Sequence, residues 1–195
     1  SISLAEAIHL AAVDMLDTDF SEICVGSRIR KGSGQAFIDV FLFDSLSSGA
    51  GYSSTLADPA SIERLFTKAQ MLLEGCTCGT ACLSCLQHYG NQCMHQWLDR
   101  KAALDLLEYA TQDKVQTMMD PARAAQAFRP LQAVLERDTS CTSRISEDEL
   151  TVECNGTSRT IRCIPDMANK TADNEYWRQE CLHDIPKIVQ SLGLS

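Results

Sequence analysis

The sequence predicts an α+β protein: a small sheet covered by helices, carrying a loop of four cysteines, with a small C-terminal hairpin-and-helix appendage. Three observations predict it. Apolar residues recur at helical spacing in several segments. Two β-rich runs flank a glycine-bearing turn before residue 45. Cys76, Cys78, Cys82 and Cys85 fall within ten residues, spaced for chelation rather than for a buried core.

Taken in order, Ser3-x-x-Glu6 has the form of a capping box, and Leu4, Ile8, Ala11, Ala12 and Met15 share one face of a first helix. Residues 23–30 read as a strand, 31–34 as a turn and 36–43 as a second strand. That second run is apolar on both faces, as expected of the middle of a covered sheet. A glycine-bearing loop follows over 44–52, with Asp44 at the strand end forming a turn. Asp58 then caps a helix with Pro59 at its first position. Ile62, Leu65, Phe66, Ala69, Leu72 and Leu73 make its buried stripe, and Gly75 ends it directly before Cys76. A further helix runs from about 99 to 109. Beyond Asp120-Pro121 the texture changes. An alanine-rich helix leads to Leu135, and residues 149–164 read as a hairpin about Asn155-Gly156, with Leu150 opposite Ile161 and Val152 opposite Arg159. A last helix over 175–192 carries Trp177 in the core and is kinked at Pro186; Tyr176 and Trp177 as a base-stacking platform is the weaker reading. The division expected is 1–118 and 119–195.

A chain of 195 residues with 45% hydrophobic content has enough apolar surface for one sizeable core and an appendage. No apolar stretch approaches the ~20 residues of a membrane span. The chain opens on a helix signal without an initiator methionine, so we expect a piece of something longer. Cys24, Cys93, Cys141, Cys154, Cys163 and Cys181 are scattered, as free thiols of a cytoplasmic protein would be. The net charge of −9 argues against a stand-alone binder of duplex nucleic acid, which needs cations to displace counterions from phosphate. Arg28, Arg30 and Lys31, and Arg100 with Lys101, form small basic groups that read first as solvated charge.

Four thiolates complete a tetrahedral Zn²⁺ site and leave no open position for water or substrate, so the predicted role is structural. The rivals are unpaired buried thiols and an iron–sulfur cluster. His88, Cys93 and His95 follow closely. They read as ligands, with Cys93 or His95 substituting if Cys76 or Cys78 is not bound, or as a Cys–His nucleophile pair. The pair would need an orienting acid, and the sequence does not place Asp99 or Glu108 there. The preferred role for Asn91 and His95 is to support the zinc loop through hydrogen bonds.

Asp44-x4-Gly49-Ala-Gly-Tyr52, the four cysteines, Tyr89-Gly-Asn91-Gln92, His95 and Leu98-Asp99-Arg100-x3-Leu104 occur in this order. In this the first 110 or so residues resemble the MrfA-like zinc-binding domain, with Ser48 standing where that family usually has a glycine. The resemblance implies a C-terminal domain of DEAD/DEAH-type superfamily 2 helicases, or of related bacterial anti-phage defence proteins such as those of DISARM and Druantia systems. It implies motor domains in the same polypeptide or complex as partners, a place beside the DNA path, and structural zinc. Arg28, Arg30 and Lys31 on the first hairpin are then the expected nucleic-acid contacts. For Asp99-Arg100 an ion pair and an N-capping aspartate followed by a solvated arginine stand equal.

No G-x-x-x-x-G-K-[ST] loop and no D-E-A-D or D-E-A-H-like run occurs, so no ATP chemistry is expected of these residues themselves. Two alternatives remain: an acidic protein–protein scaffold without DNA contact, and a degenerate nuclease-like module. Glu149, Glu153 and Asp166 could serve the latter, but no E-x-K follows them.

Overall fold

The computed structural model describes residues 1–32, 35–46, 49 and 51–193. Gly34 of the predicted turn and the Ser48 position lie outside them. The chain forms two compact units, Ser1–Lys114 and Val115–Ser195.

In the first unit, α1 (Ile2–Leu16) is buried at Leu4, Ile8, Ala11 and Ala12 and packs on later helices and the first strand. The predicted capping box does not form. Ser1 is the cap, without a side-chain bond, so Ser3 and Glu6 lie inside the helix, where the same three-residue spacing puts both on one buried face. Ser3 Oγ accepts from the Asp99 N–H at 2.9 Å, and Glu6 meets His88 at 2.9 Å. Strand β1 (Ile23–Gly32) pairs antiparallel with β2 (Gln35–Asp44), with Ile23 opposite Asp44 and Arg28 opposite Asp39. Among the described residues this sheet has two strands, so β2 is not the covered middle strand its composition predicts. Val40 and Leu42 pack on the core, while Phe37, Phe41 and Phe43 on the other face are exposed.

Asp44 makes the turn expected of it. Its carboxylate accepts from the Gly51 N–H at 2.7 Å and the Ser53 N–H at 2.8 Å, at the start of α2 (Tyr52–Thr55). Gly49 has φ +32°, and a Cβ there would fall 2.6 Å from the Asp44 Oδ2, so this position excludes any side chain. Helix α3 (Pro59–Glu74) opens as predicted, with Asp58 accepting from the Ser61 N–H at 3.1 Å. It buries Leu65, Ala69 and Leu73; each such leucine contributes about 1.5–3 kcal/mol of transfer free energy. After the cysteine loop come 3₁₀ turns over Tyr89–Trp97, and then α4 (Arg100–Gln112). Asp99 caps α4 by accepting from the Lys101 and Ala102 N–H groups.

The second unit begins with α5 (Pro121–Leu135), capped by Asp120 and buried through Phe128 and Leu131. It packs on strands β3 (Cys141–Ser146), β4 (Glu149–Cys154), β5 (Thr157–Ile164) and β6 (Glu175–Trp177). They lie in the order β3-β4-β5-β6, with β6 parallel to β5 and the other pairs antiparallel. The predicted hairpin register is observed: Leu150 faces Ile161 and Val152 faces Arg159 across a turn with Asn155 at φ 51° and Gly156 at φ 75°.

Three expectations fail in this unit. Cys141 and Cys154 are not free thiols but a disulfide, because β3, which sequence reading missed, sets them directly opposite. The single helix over 175–192 is instead β6, α6 (Arg178–His183) and α7 (Ile185–Ser191), with Pro186 in the first turn of α7, where its missing N–H costs nothing. Trp177 is 37% exposed rather than core. Its indole donates to the Ala168 carbonyl at 2.8 Å, and the Lys170 ammonium sits 4.1 Å from its ring. Among the described residues no helix is long and apolar enough to cross a membrane.

Candidate metal centre

Helix α3 delivers the chain to the cysteines. Gly75 ends it with its N–H on the Met71 carbonyl at 2.9 Å, and a Cβ there would lie 3.1 Å from that oxygen. The second pair is then folded by a tight turn in which the Cys85, Leu86 and Gln87 N–H groups all point at the Cys82 carbonyl, at 3.0, 3.2 and 3.0 Å.

The four sulfurs lie within 4.8 Å of one another. Cys76 is 3.6 Å from Cys82, Cys78 is 3.6 Å from Cys85, and Cys82 is 3.9 Å from Cys85. A tetrahedron with Zn–S bonds near ~2.3 Å has edges of about 3.8 Å. A disulfide would need about 2.05 Å. Sulfurs this close converge on a single ion, which leaves no room for a multi-iron cluster whose irons each take their own thiolates.

Backbone dipoles add to the fit. The Cys82 N–H points at the Cys85 sulfur at 3.3 Å and the Ser84 N–H at the Cys82 sulfur at 3.4 Å, both favouring thiolate. The Ser84 N–H brings the Cys82 thiol down to about 7. Burial pushes Cys85 up to about 12 and raises Cys78 as well. Removing those protons from a half-buried knot of thiols requires a cation, and Zn²⁺ bound to all four would supply a structural crosslink of the loop.

The predicted supporting residues are near but do not touch sulfur. Asn91, 1% exposed, accepts from the His88 N–H at 2.9 Å and donates to the Leu86 carbonyl at 2.9 Å. His95 Nε2 lies 2.9 Å from the Asn91 Oδ1 and 3.1 Å from the His88 carbonyl. Together they fix the segment leaving Cys85. Cys93 is exposed, and neither it nor His95 joins the converging donors.

Sequence reading missed Arg100. Far from solvated, it is 8% exposed and donates to the Cys78 carbonyl at 2.8 Å and the Leu73 carbonyl at 3.1 Å. Its own N–H bonds the Thr80 carbonyl at 2.7 Å. It therefore joins the end of α3, the middle of the loop and the start of α4. The signal was its place directly after a capping aspartate, which aims the side chain back along the helix start.

Arg28 and Arg30 both pair with Asp39 across the hairpin, at 2.8 and 2.6 Å, and their guanidinium groups lie over Phe41 and Phe37. The Arg30 guanidinium, and Arg28 after it, holds the Asp39 carboxyl down at about 2. Lys31 is exposed. Glu149, Glu153 and Asp166 do not converge. Among the described residues the groups of three or more metal-capable side chains are the cysteines and Glu6, His9 and His88.

A four-thiolate loop at a helix end, held by the next helix, defines a zinc-binding domain with a structural ion. Residues 4–86 match the family model described as the MrfA Zn-binding domain. Over 141 residues, 70% of the chain, the sequence is 40% identical to Druantia protein DruE of Escherichia coli (strain UMEA 4076-1). The match extends beyond the first unit, yet it spans only 8% of that relative's length. No solved structure matches the chain.

Proposed function

We propose that this chain is the zinc-stabilised, non-catalytic part of a much larger helicase-related, ATP-dependent protein that translocates on DNA in prokaryotic anti-phage defence or DNA repair. Cys76, Cys78, Cys82 and Cys85 hold the ion. The domain docks the motor and shapes the nucleic-acid path, and Arg28, Arg30 and Lys31 are its DNA contacts. The observation that carries the reading is the convergence of four sulfurs in a chain 40% identical to a Druantia protein. The test uses the full-length protein with Cys82 and Cys85 changed to serine. Protection of cells against phage and DNA-stimulated ATP turnover should both fall with loss of zinc; full activity without zinc would refute the reading.

A second reading, an acidic interaction scaffold without DNA contact, is favoured by the exposed Phe37, Phe41 and Phe43 face and by the pairing of both arginines with Asp39. Normal DNA affinity in a full-length protein with Arg28, Arg30 and Lys31 changed to alanine would favour it.

A further inference from the structure

We propose that Glu6, His9 and His88 form a second metal site in the first unit, taking one divalent cation of the kind that prefers nitrogen and oxygen donors, Zn²⁺ foremost. It shares no ligand with the cysteine loop and stands independently of the function proposed above.

The donors come from two segments. Glu6 and His9 lie one turn apart on α1, and His88 follows Cys85 by three residues. Their ligand atoms lie within 4.8 Å of one another. Glu6 Oε2 is 2.9 Å from His88 Nε2 and 3.8 Å from His9 Nδ1. Bonds of about 2.0–2.1 Å to a tetrahedral ion put neighbouring donors roughly 3.3 Å apart, between the two measured edges.

His9 supplies the decisive observation. It is 7% exposed, and its Nε2 lies 2.9 Å from the Ile23 carbonyl, which can only accept. Nε2 therefore carries the hydrogen, so in the neutral ring the Nδ1 lone pair points toward the Glu6 carboxylate. That Nδ1 is buried with no hydrogen-bond partner, and 3.8 Å is beyond hydrogen-bond reach. In that form two electron-rich groups face each other across the gap, and a cation between them satisfies both. An imidazole that donates its far N–H to a backbone carbonyl is also the arrangement metal-ligating histidines adopt.

The other two donors are compatible. Glu6 is 4% exposed, and its Oε2 faces both imidazoles. His88 Nδ1 accepts from the exposed Gly90 N–H at 3.2 Å. Ligation through Nε2 moves the ring proton to Nδ1 and turns that N–H to water. Phe20 walls the site, its ring centroid 5.2 Å from that of His9 and 4.7 Å from that of His88. Two imidazoles and one carboxylate leave a fourth position for water or a ligand oxygen, unlike the closed cysteine site.

The experiment equilibrates the full chain with buffered free zinc and reads bound metal by elemental analysis and coordination by zinc K-edge absorption. Wild type should hold two equivalents with a mixed sulfur and nitrogen/oxygen shell. His9→Gln and His88→Gln should each hold one equivalent with sulfur alone. One equivalent with an all-sulfur shell in wild type would overturn the proposal, and that result needs no variant to fold. Two equivalents retained in both variants would also overturn it, because the second ion would then sit elsewhere.

Discussion

The Arg100 guanidinium donates to the backbone carbonyl of Cys78 at 2.8 Å, so the helix after the metal loop grips the loop from inside the protein. The same side chain reaches the Leu73 carbonyl at 3.1 Å, one of the carbonyls α3 leaves without a helical partner. Arg100→Ala would strand both. With charge-assisted bonds worth about 1.5–3 kcal/mol each, the first unit should lose roughly 3 kcal/mol in urea denaturation. Arg100→Lys should recover only part of this, since a single ammonium nitrogen lacks the planar fork whose Nε and terminal nitrogen reach the two carbonyls separately. Wild-type stability in Arg100→Ala would show the clamp to be idle.

Replacing Cys82 or Cys85 by serine should release zinc and lower the melting temperature of the first unit, because metal-binding free energy is folding free energy for a loop of this kind. A strong chelator should do the same to the wild type. Calorimetry with zinc analysis checks it, and an unchanged melting temperature after zinc loss would contradict it.

Asp39 carries a pH prediction. Hydrogen bonding to Arg30, then to Arg28, depresses its carboxyl from 3.8 to about 2. A depressed carboxyl contributes stability above its unfolded value and loses it as pH falls through the folded value, so the hairpin pairing should persist at pH 4 and fail near pH 2. Carboxyl-carbon NMR titration should place Asp39 near 2 in the wild type and higher in Arg30→Ala. A wild-type midpoint near 3.8 would remove the pairing.

Cys141 and Cys154 close a loop of sequence separation 13. Cross-linking a loop of that size is worth about 3 kcal/mol. Changing both to alanine should destabilise the second unit by about that amount and leave the zinc content of the chain unchanged. Equal stability with and without reductant would contradict this.

How much of this was legible depended on how local the signal was. Asp58, Pro59 and Gly75 announce α3 because cap and stop are made by neighbours in sequence, and the cysteine loop is readable because its donors lie within ten residues. Arg100 was not, because its burial depends on carbonyls 22 and 27 residues away. Ser3-x-x-Glu6 misled because three-residue spacing serves a capping box and a buried polar stripe equally. Strand β3 hid because Cys-Thr-Ser-Arg-Ile-Ser offers little apolar alternation, and with it went the Cys141–Cys154 pairing. Strand β6 is three residues long and runs directly into a helix.

The nucleic-acid prediction separates the isolated chain from the intact protein. At a net charge of −9, with Arg28 and Arg30 committed to Asp39, the isolated chain should bind single-stranded or duplex DNA weakly and lose that binding as salt rises. In the full-length protein, alanine at Arg28, Arg30 and Lys31 should reduce affinity and flatten the salt dependence. Fluorescence anisotropy at low and physiological salt reads both. Tight, salt-insensitive binding by the isolated chain would contradict the charge argument.

The most direct test of the central claim is zinc K-edge absorption on the chain loaded with a single equivalent of metal. The convergence of Cys76, Cys78, Cys82 and Cys85 predicts four sulfur neighbours near ~2.3 Å and no nitrogen or oxygen in the shell. A shell dominated by nitrogen or oxygen, native protein carrying iron with visible absorbance, or no bound metal at all would contradict it.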